Sequence, residues 1–138
     1  MESFHGPGQL EDFLARTEIL VNLLAVTPET RNILCQRTFD MMQEGAAIIN
    51  IARGEHVVDG DLLAALDSGR LRAATLDVFR TEPLPPDDPM WRHPGITIMP
   101  HCARRPRAAN IIPQVVDNIR RLRAGQPLLQ VVDREAGY

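Results

Sequence analysis

The feature that most constrains this chain is an alternation along its length. Short runs of small and branched apolar residues occur at 19–24, 47–51, 74–78 and 96–99. Each run is continuous rather than alternating, the pattern of parallel strands buried on both faces. Amphipathic stretches separate them. Residues 9–16 set Leu10, Phe13 and Leu14 on one face, 36–43 carry Phe39, Met41 and Met42, and 59–68 carry Leu62, Leu63 and Leu66. Asp59 is placed to cap the last of these helices, and Gly69 to close it. The repetition predicts an α/β domain with a mostly parallel sheet. Right-handed crossovers would then bring the strand ends that precede helices to one edge. After Met99 the pattern changes to one long helical stretch, 107–124. Its apolar stripe is Ile111, Ile112, Val115, Val116, Ile119 and Leu122, with a break or kink at Pro113 and Gly125 at its close. The tail, 126–138, reads as a short extended docking segment.

The 138 residues suffice for one domain with a real core. A composition of 44% hydrophobic and 24% charged residues is that of a globular protein. The net charge of -3 gives no general affinity for nucleic acid or for an anionic membrane, so neither is expected as a partner. Two basic clusters, Arg104 with Arg105 and Arg107, and Arg120 with Arg121 and Arg123, read as helix-end charge and solvated faces. Cys35 and Cys102 form no CxxC and no metal-ligand spacing. They are expected to be free thiols in a reducing cytoplasm, with no metal bound. No apolar run approaches about 18 residues, so no membrane span is expected. The opening MESFHGPGQL lacks the basic-then-apolar pattern of a signal peptide.

In open α/β sheets, ligands bind outside the carboxyl ends of the strands. The second predicted strand ends in Ala52, Arg53 and Gly54. The third ends in Asp77 and Val78, followed by Thr81 and Glu82, and the fourth ends in Pro100, His101 and Cys102. Arg53, Asp77 with Glu82, and His101 thus meet at one rim. An arginine fork can hold a substrate carboxylate and polarise an adjacent ketone. A histidine can pass a proton to the forming alkoxide, and a carboxylate beside it would orient the ring. The set suits reduction of a 2-keto acid by hydride from a cofactor. Singly, each residue has a plainer reading: a solvated arginine, the start of the proline-rich loop TEPLPPDDP, a loop histidine. Their coincidence on three successive strands favours the chemical one. His5 near the terminus, His93 before Pro94, and His56, which leads into a helix and could approach the rim, rank lower.

The segments LLAVTPETRNIL, AAIINIARGEHVVDGDLLAALDSGRLRAATLDVFRTEPLPPDDPMWRHPGITIMPH and VDREAGY carry a resemblance. The chain resembles the D-isomer-specific 2-hydroxyacid dehydrogenases, and within them the glyoxylate/hydroxypyruvate reductases, from about Glu2 to Tyr138. The resemblance implies a partial Rossmann-like (doubly wound) parallel sheet with flanking helices and a long C-terminal helix. Residues 1–105 would be the C-terminal part of a dinucleotide-binding domain. Residues 106–138 would be a crossing helix and tail that return to a substrate domain. The implied activity is NAD(P)H-dependent reduction of glyoxylate or hydroxypyruvate to the 2-hydroxy acid, with NADP or NAD as cofactor. Arg53 would bind the substrate carboxylate and ketone, His101 would donate the proton, and Glu82 would be its partner. Asp77 would hold the nicotinamide carboxamide, and Leu24, Ile51, Ala52, Arg53, His101 and Ala103 would line the cofactor groove.

Two departures qualify the expectation. The family places small residues after the catalytic histidine, whereas His101, Cys102 and Ala103 are followed here by Arg104, where a small side chain would face the nicotinamide; Ala25 also replaces a usual proline. More important, the 138 residues hold no GxGxxG, the glycine turn and helix start that a pyrophosphate needs. Gly6 and Gly8 are a decoy, with Glu11 in the third glycine's place. The chain reads as the back half of a reductase, weakly active or inactive alone. The alternative is a non-catalytic interaction or regulatory module, or the remnant of a broken reductase gene. In either case residues 19–24 would form an apolar edge unguarded by Lys or Pro, and the long helix would lack a domain to pack on. A homo-oligomer through that edge strand or helix is therefore expected.

Overall fold

The structure, a computed structural model, describes residues 2–103 and 107–135. Its elements run α1 (Leu10–Ala15), β1 (Ile19–Asn22), α2 (Gln36–Met41), β2 (Ala46–Asn50), α3 (Asp59–Asp67), β3 (Leu71–Leu76), β4 (Ile96–Ile98) and α4 (Ala108–Arg123), with 3-10 turns at Pro7–Gln9, Gly54–His56 and Pro89–Arg92. The four strands form one parallel sheet in the order β1-β2-β3-β4. This is a Rossmann-like parallel sheet with flanking helices and a long C-terminal helix.

Because each strand lies beside its predecessor, the crossovers all move in one direction, and a common hand puts their helices on one face. There Leu14 of α1, Phe39 of α2 and Leu62 of α3 pack with Leu20, Ile48, Leu71 and Leu76 of the strands. The helices are short and lean on tertiary contacts at their ends. The first amide of α2, at Gln36, donates to the Asp61 carboxylate of α3 (2.8 Å). At the other end of α2, Arg70 donates to the carbonyls of Phe39 (2.9 Å), Asp40 (2.7 Å) and Met42. These are the orphan groups that a helix terminus leaves. Gly69 follows α3 at φ +77°, and its amide donates to Leu66 O, the glycine closure expected from the sequence.

Several expectations are corrected. Asp59 does not cap α3. The helix starts after Val58, Asp59 is its first residue, and no side chain makes the cap bond. Burial pushes the Asp59 carboxyl up, while Arg80 draws it down and Asp88 pushes it up again. β1 is not buried on both faces: Leu20 and Asn22 point inward, whereas Ile19 and Val21 are 54% and 46% exposed. Among the described residues no element covers that second face, so the strand alternates despite its continuous apolar sequence. β1 pairs only with β2, leaving its outer edge without a strand partner among the described residues. α4 runs unbroken through Pro113, because the carbonyl that loses its bond, that of Ala109, belongs to an exposed residue. None of its residues is buried, and Ile112, Val115, Ile119 and Leu122 stay exposed. The tail folds back along α4, where Asn118 accepts from the Leu129 amide (2.8 Å) and donates to its carbonyl (3.1 Å). No helix of the described residues is long and apolar enough to cross a membrane.

Phe39 is fully buried between α2 and the sheet. Phe39→Ala is expected to destabilise the chain by about 3–5 kcal/mol. Urea unfolding should show a lower midpoint at an unchanged slope.

Candidate functional site

β2 leaves the sheet through Ile51, Ala52, Arg53 and Gly54, and local packing dictates the glycine. A Cβ on Gly54 would sit 1.9 Å from the carbonyl carbon of Phe79, so the backbone leaving β3 crosses directly over it. Only glycine permits that approach. The preceding residue is thereby set at the rim: Arg53 is extended (φ −146°, ψ 149°) and exposed, and its Nη1 donates to Ala52 O at 2.7 Å.

β3 leaves through Asp77, which is buried and grips the end of β4. Its Oδ1 accepts from the Cys102 amide (2.7 Å) and its Oδ2 from the Ala103 amide (2.9 Å). Burial opposes the Asp77 charge, but these amides, the Cys102 thiol and nearby His101 outweigh it and hold the carboxyl below its ordinary range. His101 stands just before the gripped amides at φ +50°, a left-handed conformation that a side chain with a Cβ rarely adopts. Its Nδ1 meets Glu82 Oε2 at 2.8 Å, while Glu82 Oε1 accepts from the Phe79 amide at 2.9 Å. The His101 hydrogen bond is the main cause holding Glu82 below the usual carboxylate range; burial opposes it and the Phe79 amide assists. An ionised carboxylate only accepts, so the hydrogen-bond pattern assigns the Nδ1 proton to this contact. Nε2 has no hydrogen-bond partner among the described residues.

Arg53, Asp77 and His101 share one open cleft of about 750 Å³, walled by Leu24, Ala25, Ile51, Ala52 and Ala103. Each residue expected to line a cofactor groove therefore falls on this cleft. Glu82 does not: it stands behind His101, beside a second hollow of about 430 Å³ that includes Leu84 and Trp91. Arg104 lies outside the described residues. Gly6 precedes, and Gly8 lies within, the 3-10 turn that leads into α1. No cluster of metal-ligating side chains occurs among the described residues.

Sequence reasoning missed a buried polar group beneath the cleft. Asn22 and Asn50 are registered partners on β1 and β2, and Asn22 Nδ2 donates to Asn50 Oδ1 (3.0 Å). Asn22 Nδ2 also lies 2.9 Å from Nδ1 of His56, whose Nε2 lies 3.2 Å from Ala25 O. Asn50 accepts from the Ala52 amide (3.2 Å) and donates to Arg53 O (3.0 Å). The available signal was an asparagine in each of two apolar strand runs, since a buried polar side chain needs a partner.

Parallel strands with an acid–imidazole pair and a guanidinium at their carboxyl rim fit a class, the nicotinamide-dinucleotide-binding α/β domains. The model of the D-isomer specific 2-hydroxyacid dehydrogenase NAD-binding domain matches residues 2–103, and the chain belongs to this family. A D-isomer specific 2-hydroxyacid dehydrogenase from Xanthobacter autotrophicus Py2, solved with NADPH and MES, is 44% identical. Its TM-score is 0.93 over 98% of this chain and 56% of its own. A family protein from Klebsiella pneumoniae is 47% identical, with TM-score 0.85 over 96% of this chain and 43% of its own. An NADPH-dependent glyoxylate/hydroxypyruvate reductase from Sinorhizobium meliloti, solved with NADP and sulfate, is 38% identical, with TM-score 0.89 over 97% of this chain and 44% of its own. The chain thus spans about half the length of these solved relatives.

Because the folded Glu82 is more acidic than the unfolded one, its contact stabilises the fold above the ordinary carboxylate range. That contribution is lost as pH falls through the lower folded value. Glu82→Gln should therefore flatten the acid limb of stability against pH, with Asp77 supplying a remaining slope of the same sign. Urea unfolding at successive pH values measures this; an unchanged acid limb would contradict the pairing with His101.

Proposed function

We propose that this chain carries the reacting half of an NAD(P)H-dependent reductase of small 2-keto acids, of the glyoxylate or hydroxypyruvate type. The observation that carries the reading is the meeting of Arg53 and His101 on one cleft, with Glu82 bonded to His101. The family uses NAD(P), and the residues present suit the nicotinamide end of it: apolar Leu24, Ile51 and Ala52 on the wall, and Asp77 as an acceptor. When bound, that group supplies the hydride. Arg53 holds the substrate carboxylate and draws electron density toward the keto oxygen. His101 delivers the proton to that oxygen as the carbonyl becomes a hydroxyl, so one hydride and one proton are consumed for each ketone reduced. Glu82 accepts from Nδ1–H and fixes the ring, so the proton delivered is the second one, carried on Nε2 of the imidazolium. Residues 1–105 are read as the C-terminal part of the dinucleotide-binding domain, and 106–138 as the segment crossing toward a substrate domain. Two free cysteines agree with a cytoplasmic location.

The 138 residues include no GxGxxG, so the chain by itself should reduce glyoxylate negligibly with either cofactor. Fused behind the amino-terminal part of the Sinorhizobium meliloti relative, it should reduce glyoxylate with NADPH, followed by nicotinamide absorbance. In that fusion His101→Ala should lose about 100- to 10,000-fold. A fusion no more active than its His101→Ala form would sink the catalytic reading and favour a non-catalytic module.

The outer edge of β1 and the exposed stripe of α4 support self-association of this chain, by edge pairing or helix docking. Light scattering after size exclusion should show a mass that rises with concentration. A monomer at every dilution, with the amides of β1 protected from exchange, would oppose it.

A further inference from the structure

We infer that His56 is a positioning residue, which ties the carboxyl end of β1 to the turn carrying Arg53 and so sets the aim of the guanidinium. The inference rests on reading the cleft as a keto-acid site. His56 is fully buried in the short turn after Arg53, yet both ring nitrogens have partners. Asn22 Nδ2 is a donor, so His56 Nδ1 accepts from it. The ring proton is then on Nε2, which donates to Ala25 O. One ring thereby joins two walls of the cleft, the Leu24–Ala25 side and the Ala52–Arg53 side.

The bonds around it show what the joint controls. Asn22 Oδ1 accepts from the Leu24 amide (3.1 Å), so Asn22 and His56 together hold the chain just beyond β1. Asn50 holds the Ala52 amide and the Arg53 carbonyl, one group on either side of the Ala52–Arg53 peptide. Asn22 bridges Asn50 and His56, so the position of Arg53 is referred to β1 through side chains. The main chain of His56 is fixed as well, its carbonyl accepting from the Leu34 amide at 2.9 Å. No buried side-chain polar atom among the described residues lacks a partner. An apolar side chain could fill the volume of His56, but it would have no direction to impose on Ala25 or Asn22. A satisfied buried network specifies one geometry, and a partly satisfied one does not.

The test uses the isotope-labelled chain, three His56 variants and one Arg53 control, with two readouts of the variants and one of the unmodified ring. The first, without any ligand, is amide hydrogen exchange at residues 24–26 and 52–54, compared with β3. The second is the affinity for oxalate, a stand-in for a 2-keto carboxylate, followed at the backbone amide signals of the cleft with Arg53→Leu as control. His56→Phe should raise exchange at those six positions about tenfold while β3 is unchanged. It should also weaken oxalate about tenfold, the effect of roughly one lost buried hydrogen bond. His56→Gln, whose amide can reach Ala25 O, should restore most of both. His56→Asn, which is too short to reach Ala25 but can still accept from Asn22, should loosen 24–26. Nitrogen shifts of the His56 ring in the unmodified chain should show the Nε2–H tautomer. If His56→Phe does not fold, the contrast between Gln and Asn decides. Unchanged exchange at 24–26 and 52–54 in the folded variants would overturn the role of His56. Oxalate binding that is absent, or indifferent to Arg53→Leu, would instead overturn the keto-acid reading, with the exchange result still deciding His56.

Discussion

Where parallel strands end, their last amides and carbonyls leave the ladder and need other partners. In this protein side chains meet that need at the carboxyl rim. Asn22 serves Leu24, Asn50 serves Ala52 and Arg53, and Asp77 serves Cys102 and Ala103. These buried side chains hold the backbone, which leaves Arg53 and His101 exposed at the cleft. The division of labour depends on the parallel register, which brings Asn22 level with Asn50 and delivers Asp77 beside the end of β4.

His101 illustrates the energetics. Its left-handed backbone costs about 1–2 kcal/mol for a residue with a Cβ. The following two amides are held by one charged carboxylate, and hydrogen bonds of that kind are stronger than neutral ones. Glu82 then anchors the ring from the opposite side while itself anchored by the Phe79 amide. Phe79 is also the residue whose backbone closes over Gly54. One segment after β3 therefore sets both the arginine turn and the histidine's partner, which couples Arg53 and His101 through backbone rather than through contact with each other.

The remainder of the fold is one-sided. Helices α1 to α3 cover one face of the sheet, and the other shows Ile19 and Val21 to solvent. The solved relatives are about twice as long; among the described residues the outer edge of β1 has no strand partner and the apolar stripe of α4 is exposed. Arg53, Asp77 and His101 share the cleft, and the side chains that hold the backbone around them come from the carboxyl ends of β1, β2 and β3.

The alternation of apolar runs and amphipathic stretches was enough to determine an α/β chain with a parallel sheet. Right-handed crossovers were enough to bring Arg53, Asp77, Glu82 and His101 to one rim. Both follow from local periodicity and chirality, which a sequence displays directly. The INIARG and EPLP segments made the family legible as well. Tertiary structure alone decided what depends on pieces distant in sequence. Asn22 reaches Asn50 and His56 across 28 and 34 positions, and only the register makes them neighbours. The need for glycine at 54 comes from the backbone of Phe79, not from any turn signal around it. Asp59 matched a helix cap by residue type, yet the helix began one residue earlier and left that carboxylate partly buried in its first turn. Apolar runs likewise state that a strand can be covered on both sides, but coverage is a property of the neighbours, and among the described residues β1 has them on one face.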